Sequence, residues 1–188
     1  MARGASDASE TPGPETPPRF YDLLKVLCEK QADFVVIGGF AVTLHGYVRT
    51  TKDIDIVPNP AEDHMSRLWD ALCAMNARPA AVGDFRPEEM PVALTREGPI
   101  ESGGNWVLYT TLGRLDLMPY VEDAYGEITY DELREDAERV DLEEIGFPVW
   151  IASTDHLIAM KEHAGRDIDR IDLTAMRMAQ GLEGDFER

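Results

Sequence analysis

The stretch Asp53-Ile-Asp55-Ile-Val57 constrains the fold of this chain most strongly, because carboxylates and aliphatic residues alternate in it. An alternation with a period of two is typical of a β-strand, in which successive side chains point to opposite faces of the sheet. The isoleucines therefore predict one buried face, and Asp53 and Asp55 project together from the other. The chain must form a sheet that tolerates two neighbouring carboxylates on one strand.

Two carboxylates on one strand face have their carbons roughly 6–7 Å apart. Like charges this close destabilise the fold unless a cation lies between them, and Mg²⁺, which takes oxygen ligands, suits such a pair. For an isolated pair of this kind, a half-exposed strand whose acids face solvent is the commoner explanation. The sequence Arg114-Leu-Asp116-Leu has the same alternating design. If the two strands are neighbours, Asp116 completes a three-carboxylate group.

A three-carboxylate group suggests a particular chemistry. It can hold two divalent ions about 4 Å apart, one activating an attacking oxygen and the other neutralising a leaving phosphate. Asp116 would then be positioned to help deprotonate an acceptor hydroxyl. The sequence thus favours a metal site, provided that the two strands pair.

Helix-like and strand-like segments alternate along the rest of the chain, and helices end it. The apolar spacing predicts helices from Phe20 and over residues 40–45, 61–75, 130–140, 153–164 and 169–180, and strands over 33–37, 106–110, 114–120, 140–142 and 147–151. Such an order favours an α/β or α+β sheet protein. Residues 77–105 predict a long irregular loop, and the Pro-rich residues 1–18 predict a disordered tail. Residues 19–188 then form one domain, with a helical C-terminal part at about 153–182.

The net charge of −18 limits the classes of partner. Passive nucleic-acid binding depends on Lys and Arg contacts to phosphates, which a strongly acidic surface opposes. A polyanionic substrate bound through divalent ions at one local patch stays compatible with this charge. No apolar run approaches the ~20 residues of a membrane span, and the N-terminus lacks the apolar segment of a secretory signal. We therefore expect a cytoplasmic protein that does not contact a membrane.

A glycine pair precedes the carboxylate strand. Gly38 and Gly39 fall between a predicted strand and a predicted helix, where backbone N–H groups can meet an anion because no side chain blocks the approach. A Gly-Gly pair is more often a plain turn. Residues 49–52 (Arg-Thr-Thr-Lys) give this region a local positive rim in an otherwise acidic chain.

Taken in order, these motifs resemble the core of the nucleotidyltransferases of the DNA polymerase β superfamily. The resemblance rests on Gly38-Gly39-Phe-Ala-Val-Thr-Leu-His45-Gly46-Tyr-Val-Arg49-Thr-Thr51-Lys-Asp53-Ile-Asp55, on Gly113-Arg-Leu-Asp116-Leu, and on residues 155–173. The chain is most similar to small bacterial members related to the abortive-infection-type toxin nucleotidyltransferases, and some antibiotic-modifying nucleotidyltransferases share much of the pattern. The resemblance implies an α+β fold, with a mixed central sheet flanked by helices and with C-terminal helices.

The resemblance also implies roles for individual residues. Asp53 and Asp55 would bind Mg²⁺ or Mn²⁺, and Asp116 would be a further ligand or the base. Lys161 would contact the triphosphate, braced by an Arg/Asp pair, although a solvated helix lysine is the simpler alternative. The nucleotide-binding residues would be Gly38, Gly39, Arg49, Thr51 and Lys161. One departure is that the superfamily motif has Gly-Ser where this chain has Gly38-Gly39, so the serine hydroxyl that contacts the nucleotide is missing.

The function implied is magnesium-dependent transfer of a nucleoside monophosphate from an NTP, such as ATP, to an acceptor, with release of pyrophosphate. The sequence leaves the acceptor open between an RNA end such as that of tRNA, a small molecule, and a side chain of a partner protein. The alternative is a non-catalytic nucleotidyltransferase fold that acts as a binding or regulatory partner, for example in a toxin–antitoxin pair.

Overall fold

The computed structural model describes residues 18–47, 49–80, 94–95 and 104–179. The predicted tail over residues 1–18, apart from Pro18, and most of the predicted 77–105 loop lie outside this part of the chain. The helices of the described residues are α1 (Phe20–Glu29), α2 (Gly38–Leu44), α3 (Glu62–Ala74), α4 (Tyr130–Glu135), α5 (Thr154–Ala164) and α6 (Asp167–Ala179). The strands are β1 (Phe34–Ile37), β2 (Asp53–Pro58), β3 (Arg78–Pro79), β4 (Trp106–Thr110), β5 (Gly113–Leu117), β6 (Val121–Asp123), β7 (Gly126–Ile128), β8 (Glu138–Leu142) and β9 (Phe147–Ile151).

A seven-stranded mixed sheet in the order β3-β4-β5-β2-β1-β9-β8 forms the centre of the fold. The pairs β2/β5 and β1/β9 are parallel, and the other neighbours are antiparallel. Strands β6 and β7 form a separate hairpin. The predicted α+β fold, with a mixed central sheet and C-terminal helices, is confirmed.

Strand β2 has the two faces that its alternation predicts. Ile54 and Ile56 are fully buried, because β2 lies in the interior of the sheet between β1 and β5. Asp53 and Asp55 are only half-buried on the opposite face. Burying the two isoleucines removes apolar surface worth roughly 1.5–3 kcal/mol for each side chain, so the register that exposes the carboxylates is strongly favoured over a slip by one residue.

The two C-terminal helices are joined by a tight connection. The hydroxyl of Ser153 accepts a hydrogen bond from the backbone N–H of His156, which caps the start of α5. Gly165 ends the helix with a φ of 61°, in the left-handed region that favours glycine. Because α6 begins two residues later, α5 and α6 pack directly against one another.

Several predicted boundaries differ from the structure. The helix predicted over residues 130–140 ends at Glu135, and residues 138–142 instead form β8, whose backbone groups pair with β9. The short β3 lies inside the predicted 77–105 loop, β5 ends at Leu117 rather than at Tyr120, and the hairpin β6–β7 was not predicted. Each of these elements depends on pairing with a partner strand, which local spacing does not encode. No helix in the described ranges has the length and apolar character that would let it span a bilayer.

Candidate active site

The three predicted carboxylates come together at the face of the sheet where β2 and β5 pair. In this parallel register Asp55 lies beside Asp116, and Asp53 lies beside Arg114. Asp116 is buried, with 7% of its surface exposed. All four side chains line a cavity of about 860 Å³. β2 and β5 are therefore neighbours, as a three-carboxylate site requires.

The carboxyl group of Asp55 has a strongly raised pKa. Burial raises its pKa to about 7, and the neighbouring charges of Asp53 and Asp116 act in the same direction. Arg114 and Arg166 lower the pKa, but by less. Among the described residues, no group donates a hydrogen bond to the Asp55 carboxylate. A half-buried carboxylate in this setting favours the approach of a proton or of a cation.

Arg114 places a positive charge among the three carboxylates. Its Nε and Nη2 donate to the two oxygens of Asp116 at 2.8 and 2.6 Å, and its Nη1 lies 3.6 Å from Oδ2 of Asp53. Burial raises the pKa of Asp116, and the hydrogen bonds from Arg114 oppose that shift. No role was predicted for Arg114, although its position two residues before Asp116 on one strand predicts that both side chains lie on the same face.

Asp53 and Asp55 fit a divalent cation by the chemistry of their donor atoms. Their carboxylate oxygens belong to the ligand class that Mg²⁺ prefers, and the neighbouring Arg114 shows that the site already accommodates a cationic group. Each oxygen of Asp116 accepts one hydrogen bond from Arg114 and keeps a second lone pair, so Asp116 can serve as a further ligand or as a proton acceptor with Arg114 in place. Within the described residues, no three His, Cys, Asp or Glu side chains are already arranged as a metal-binding group.

The glycine pair lies against the carboxylates. Gly38 has a φ of +65°, and a Cβ atom there would lie 2.1 Å from Oδ2 of Asp55. A Cβ atom on Gly39 would lie 2.7 Å from Nη1 of Arg49 and 3.0 Å from Oγ1 of Thr51. Only glycines allow the start of α2 to approach these groups so closely. The structure thus brings the predicted nucleotide-binding residues Gly38, Gly39, Arg49 and Thr51 to the cavity that holds the carboxylates.

Lys161, the fifth predicted nucleotide-binding residue, also lines the cavity, but its ammonium group is buried among acids. The residue is 5% exposed, and its Nζ lies 2.6 Å from Oδ2 of Asp172 and 3.4 Å from Oδ1 of Asp169. Both aspartates are buried on α6. Lys161 is therefore not the solvated helix lysine that the sequence left open.

Each of the two buried aspartates also binds an arginine. Arg49 donates from Nη1 to Asp172 at 2.7 Å. Arg166 donates from Nε and Nη2 to Asp169 at 2.7 and 3.2 Å. Arg166 lines the cavity, whereas the resemblance implied an Arg/Asp pair that braces Lys161 without assigning Arg166 to it. The sequence feature that could have indicated Arg166 is the preceding Gly165. This glycine ends α5, so Arg166 lies in the connection to α6, beside the cavity.

Comparison with known proteins identifies a family and a shared fold. Residues 20–186 match the family model described as nucleotidyltransferase of unknown function (DUF6036). No curated protein sequence matches the chain.

The solved structures of similar fold include the following two. The lincosamide antibiotic adenylyltransferase LnuA, bound to lincomycin, has a TM-score of 0.55 and 15% identity, covering 85% of this chain and 94% of its own. ANT(2")-Ia, in complex with adenylyl-2"-tobramycin, has a TM-score of 0.54 and 14% identity, covering 87% of this chain and 88% of its own. At these identities the likeness shows a shared fold.

Proposed function

We propose, because the chain belongs to the DUF6036 family of nucleotidyltransferases, that it transfers a nucleoside monophosphate from an NTP to an acceptor hydroxyl, with magnesium or manganese bound by its carboxylates. The observation that carries this proposal is the parallel register of β2 and β5, which sets Asp55 beside Asp116 with Asp53 on the same strand face. These acids line a cavity large enough for a nucleotide.

The described residues suggest how the transfer would proceed. Asp53 and Asp55 would hold the divalent ion, which supplies positive charge against the phosphate oxygens. The acceptor oxygen forms a bond to the α-phosphorus, the bond from that phosphorus to the bridging oxygen breaks, and pyrophosphate leaves. Asp116 receives the proton of the acceptor hydroxyl at a carboxylate oxygen. Burial, which raises the pKa of Asp116, makes this carboxylate a better proton acceptor.

Gly38 and Gly39 follow β1, which borders β2 on the side away from β5 and Asp116. The backbone N–H groups of Gly38 and Gly39 would meet phosphate oxygens at the start of α2. Arg49 and Thr51 pack against Gly39 and would extend this contact. Lys161 contributes positive charge from α5, in the position that the resemblance assigns to a triphosphate-binding lysine.

For the acceptor, we propose a small molecule with a free hydroxyl. The cavity wall combines carboxylates with apolar side chains such as Met118 and Met160, a mixture typical of small-molecule sites. Of the two structures compared above, LnuA is described as a lincosamide antibiotic adenylyltransferase, and ANT(2")-Ia is described in complex with adenylyl-2"-tobramycin. The net charge of −18 opposes a broad RNA platform. An RNA end and a partner-protein side chain are the competing acceptors.

The test is a transfer assay with each of the four α-labelled NTPs and Mg²⁺. Its three arms contain a panel of small hydroxyl compounds that includes lincosamides and aminoglycosides, bulk tRNA, and proteins of a lysate. We expect label to be transferred in the first arm. Asp53→Asn and Asp55→Asn should each lower the transfer rate by at least about 100-fold, since each removes a negative charge that helps to stabilise the transition state. The matched control is Asp70→Asn, which removes an exposed carboxylate from α3.

The outcomes separate the alternatives. Transfer that survives in both site variants at the level of Asp70→Asn would refute the assigned site. Label on tRNA, or on one protein, would replace the small-molecule acceptor, and a single labelled protein would suggest a toxin–antitoxin partner. No transfer in any arm, together with no binding of NTP in calorimetry, would favour a non-catalytic binding partner.

A further inference from the structure

Five charged side chains form a continuous network between α5, α6 and the segment before β2. This network, here called the α5–α6 charge network, consists of Arg49, Lys161, Arg166, Asp169 and Asp172. Lys161 lies at its centre and contacts both aspartates, and each aspartate binds one arginine on its outer side. The three cations exceed the two anions by one charge, so the network presents net positive charge in an acidic protein.

The burial of Lys161 argues against a direct contact with substrate. Its side chain is only 6% exposed, and its two carboxylate partners are 0% and 3% exposed. Moving the ammonium group toward a phosphate would leave one or both buried carboxylates without their central cation. Breaking a buried pair in this way is strongly unfavourable. Lys161 is therefore held in place by the fold, whichever ligand occupies the cavity.

Arg166 has the opposite character. Its side chain is 70% exposed, and it lines the cavity together with the carboxylates of β2. It uses Nε and Nη2 to bind Asp169, while a guanidinium carries five N–H donors in a planar fork. Its positive charge also lowers the pKa of Asp55, which lines the same cavity. Arg166 thus has donors to spare beside the metal-binding carboxylates.

Arg49 occupies the other outer end of the network. Its Nη1 donates to Asp172 and its Nε donates to the carbonyl oxygen of Thr50. A Cβ atom on Gly39 would lie 2.7 Å from the same Nη1, so this guanidinium packs on the start of α2. Anchored arginines are well suited to phosphate, because their orientation is set before the ligand arrives.

We propose that Arg166, together with Arg49, binds the oxygens of the triphosphate, and that Lys161 is a positioning residue that fixes both arginines through Asp169 and Asp172. The proposal rests on the nucleotidyl transfer proposed above. It refines that function by moving the β- and γ-phosphate contact from Lys161 to Arg166.

The first experiment measures binding without turnover. Calorimetry with Mg²⁺ compares a non-hydrolysable NTP analogue with the corresponding NMP, for the wild type, Arg166→Gln and Arg49→Gln. We expect each variant to bind the triphosphate roughly tenfold to a hundredfold more weakly, as for loss of a hydrogen bond to a charged group. NMP binding should be unchanged in Arg166→Gln, and Arg166→Lys should recover part of the loss. The matched control is Arg170→Gln, an exposed arginine of α6 that pairs with Asp167.

The second experiment asks whether Lys161 acts through Arg166. If it does, Lys161→Met weakens triphosphate binding when introduced alone but causes little further loss when combined with Arg166→Gln. Two substitutions that remove the same interaction do not have additive effects. Asp169→Asn covers the case in which Lys161→Met does not fold. It frees Arg166 while leaving the Lys161–Asp172 pair, so we expect weaker triphosphate binding. A direct Lys161 contact predicts unchanged or tighter binding in Asp169→Asn.

Three results would overturn the proposal. The first is triphosphate binding in Arg166→Gln equal to that in Arg170→Gln, with the wild type binding normally. The second is fully multiplicative losses for Lys161→Met and Arg166→Gln, with binding unchanged in Asp169→Asn. The third is a wild type that binds no triphosphate at all, which would also remove the proposed nucleotidyl transfer and is thereby distinguished from the first two.

Discussion

Gly38 and Asp55 are so close that a single added methyl group on the glycine would lie 2.1 Å from a carboxylate oxygen. The start of α2 therefore forms a wall of the carboxylate site, and the backbone of Gly38 also adopts a φ of +65°. Both features require glycine at position 38, so the geometry of the helix start and the position of the Asp55 carboxylate depend on the same residue.

Gly38→Ala should abolish transfer and destabilise the fold by more than its backbone strain alone. The control Gly146→Ala has a similar φ of +73° but nothing within 4 Å of its added Cβ, so it should cost only about 1 kcal/mol. Chemical denaturation and the transfer assay together measure both effects. Equal losses of stability in the two variants would show that Asp55 moves aside freely.

The stability of the metal-free protein should fall as the pH rises from about 4 to about 7. The folded pKa of Asp55 is raised to about 7, above its unfolded value, so the folded state binds the proton more tightly throughout this interval. The full penalty applies above pH 7 and is at most about 4 kcal/mol at 1.36 kcal/mol per pKa unit. Asp55→Asn should remove this part of the slope in denaturation curves, and Asp70→Asn should not. A wild-type profile that rises over this interval would contradict the expectation.

Arg114→Gln should make the fold dependent on a divalent ion. The substitution removes both hydrogen bonds to Asp116 and leaves three acids without their shared cation, which should cost about 1–3 kcal/mol. Thermal denaturation should show a lower Tm in chelator and a larger recovery with Mg²⁺ than the wild type shows. Arg139→Gln, which loses an exposed pair with Asp141, is the matched control. An identical Mg²⁺ response in the two variants would argue against a metal at these carboxylates.

Lys161→Met should destabilise the fold much more than Lys25→Met. It leaves the buried Asp169 and Asp172 with only their outer arginines, Arg166 and Arg49, at a cost of up to about 3–5 kcal/mol. Lys25→Met, which removes an exposed partner of Glu29 on α1, should change stability by less than about 1 kcal/mol. Urea denaturation of the two variants measures the difference. Similar midpoints would mean that the α5–α6 charge network contributes little to folding.

Much of the local structure could be predicted because it depends on short-range patterns. The alternation in residues 53–57 predicted both the strand and its buried face, and Ile54 and Ile56 are fully buried. The helix predicted over residues 153–164 is likewise present, as α5 (Thr154–Ala164). Residues 136–140 misled the prediction, because pairing with β9 prevailed over a helical spacing that local propensity allowed.

The sequence by itself determined that Asp53 and Asp55 share one strand face, because strand geometry has a period of two. Only the tertiary structure decided that Asp116 lies beside Asp55, that Arg114 binds Asp116, and that Lys161 is buried between two aspartates. Each of these contacts joins elements whose neighbours are set by strand order, register and helix packing. That arrangement arises from burying the whole core at once, and no local period in the chain encodes it.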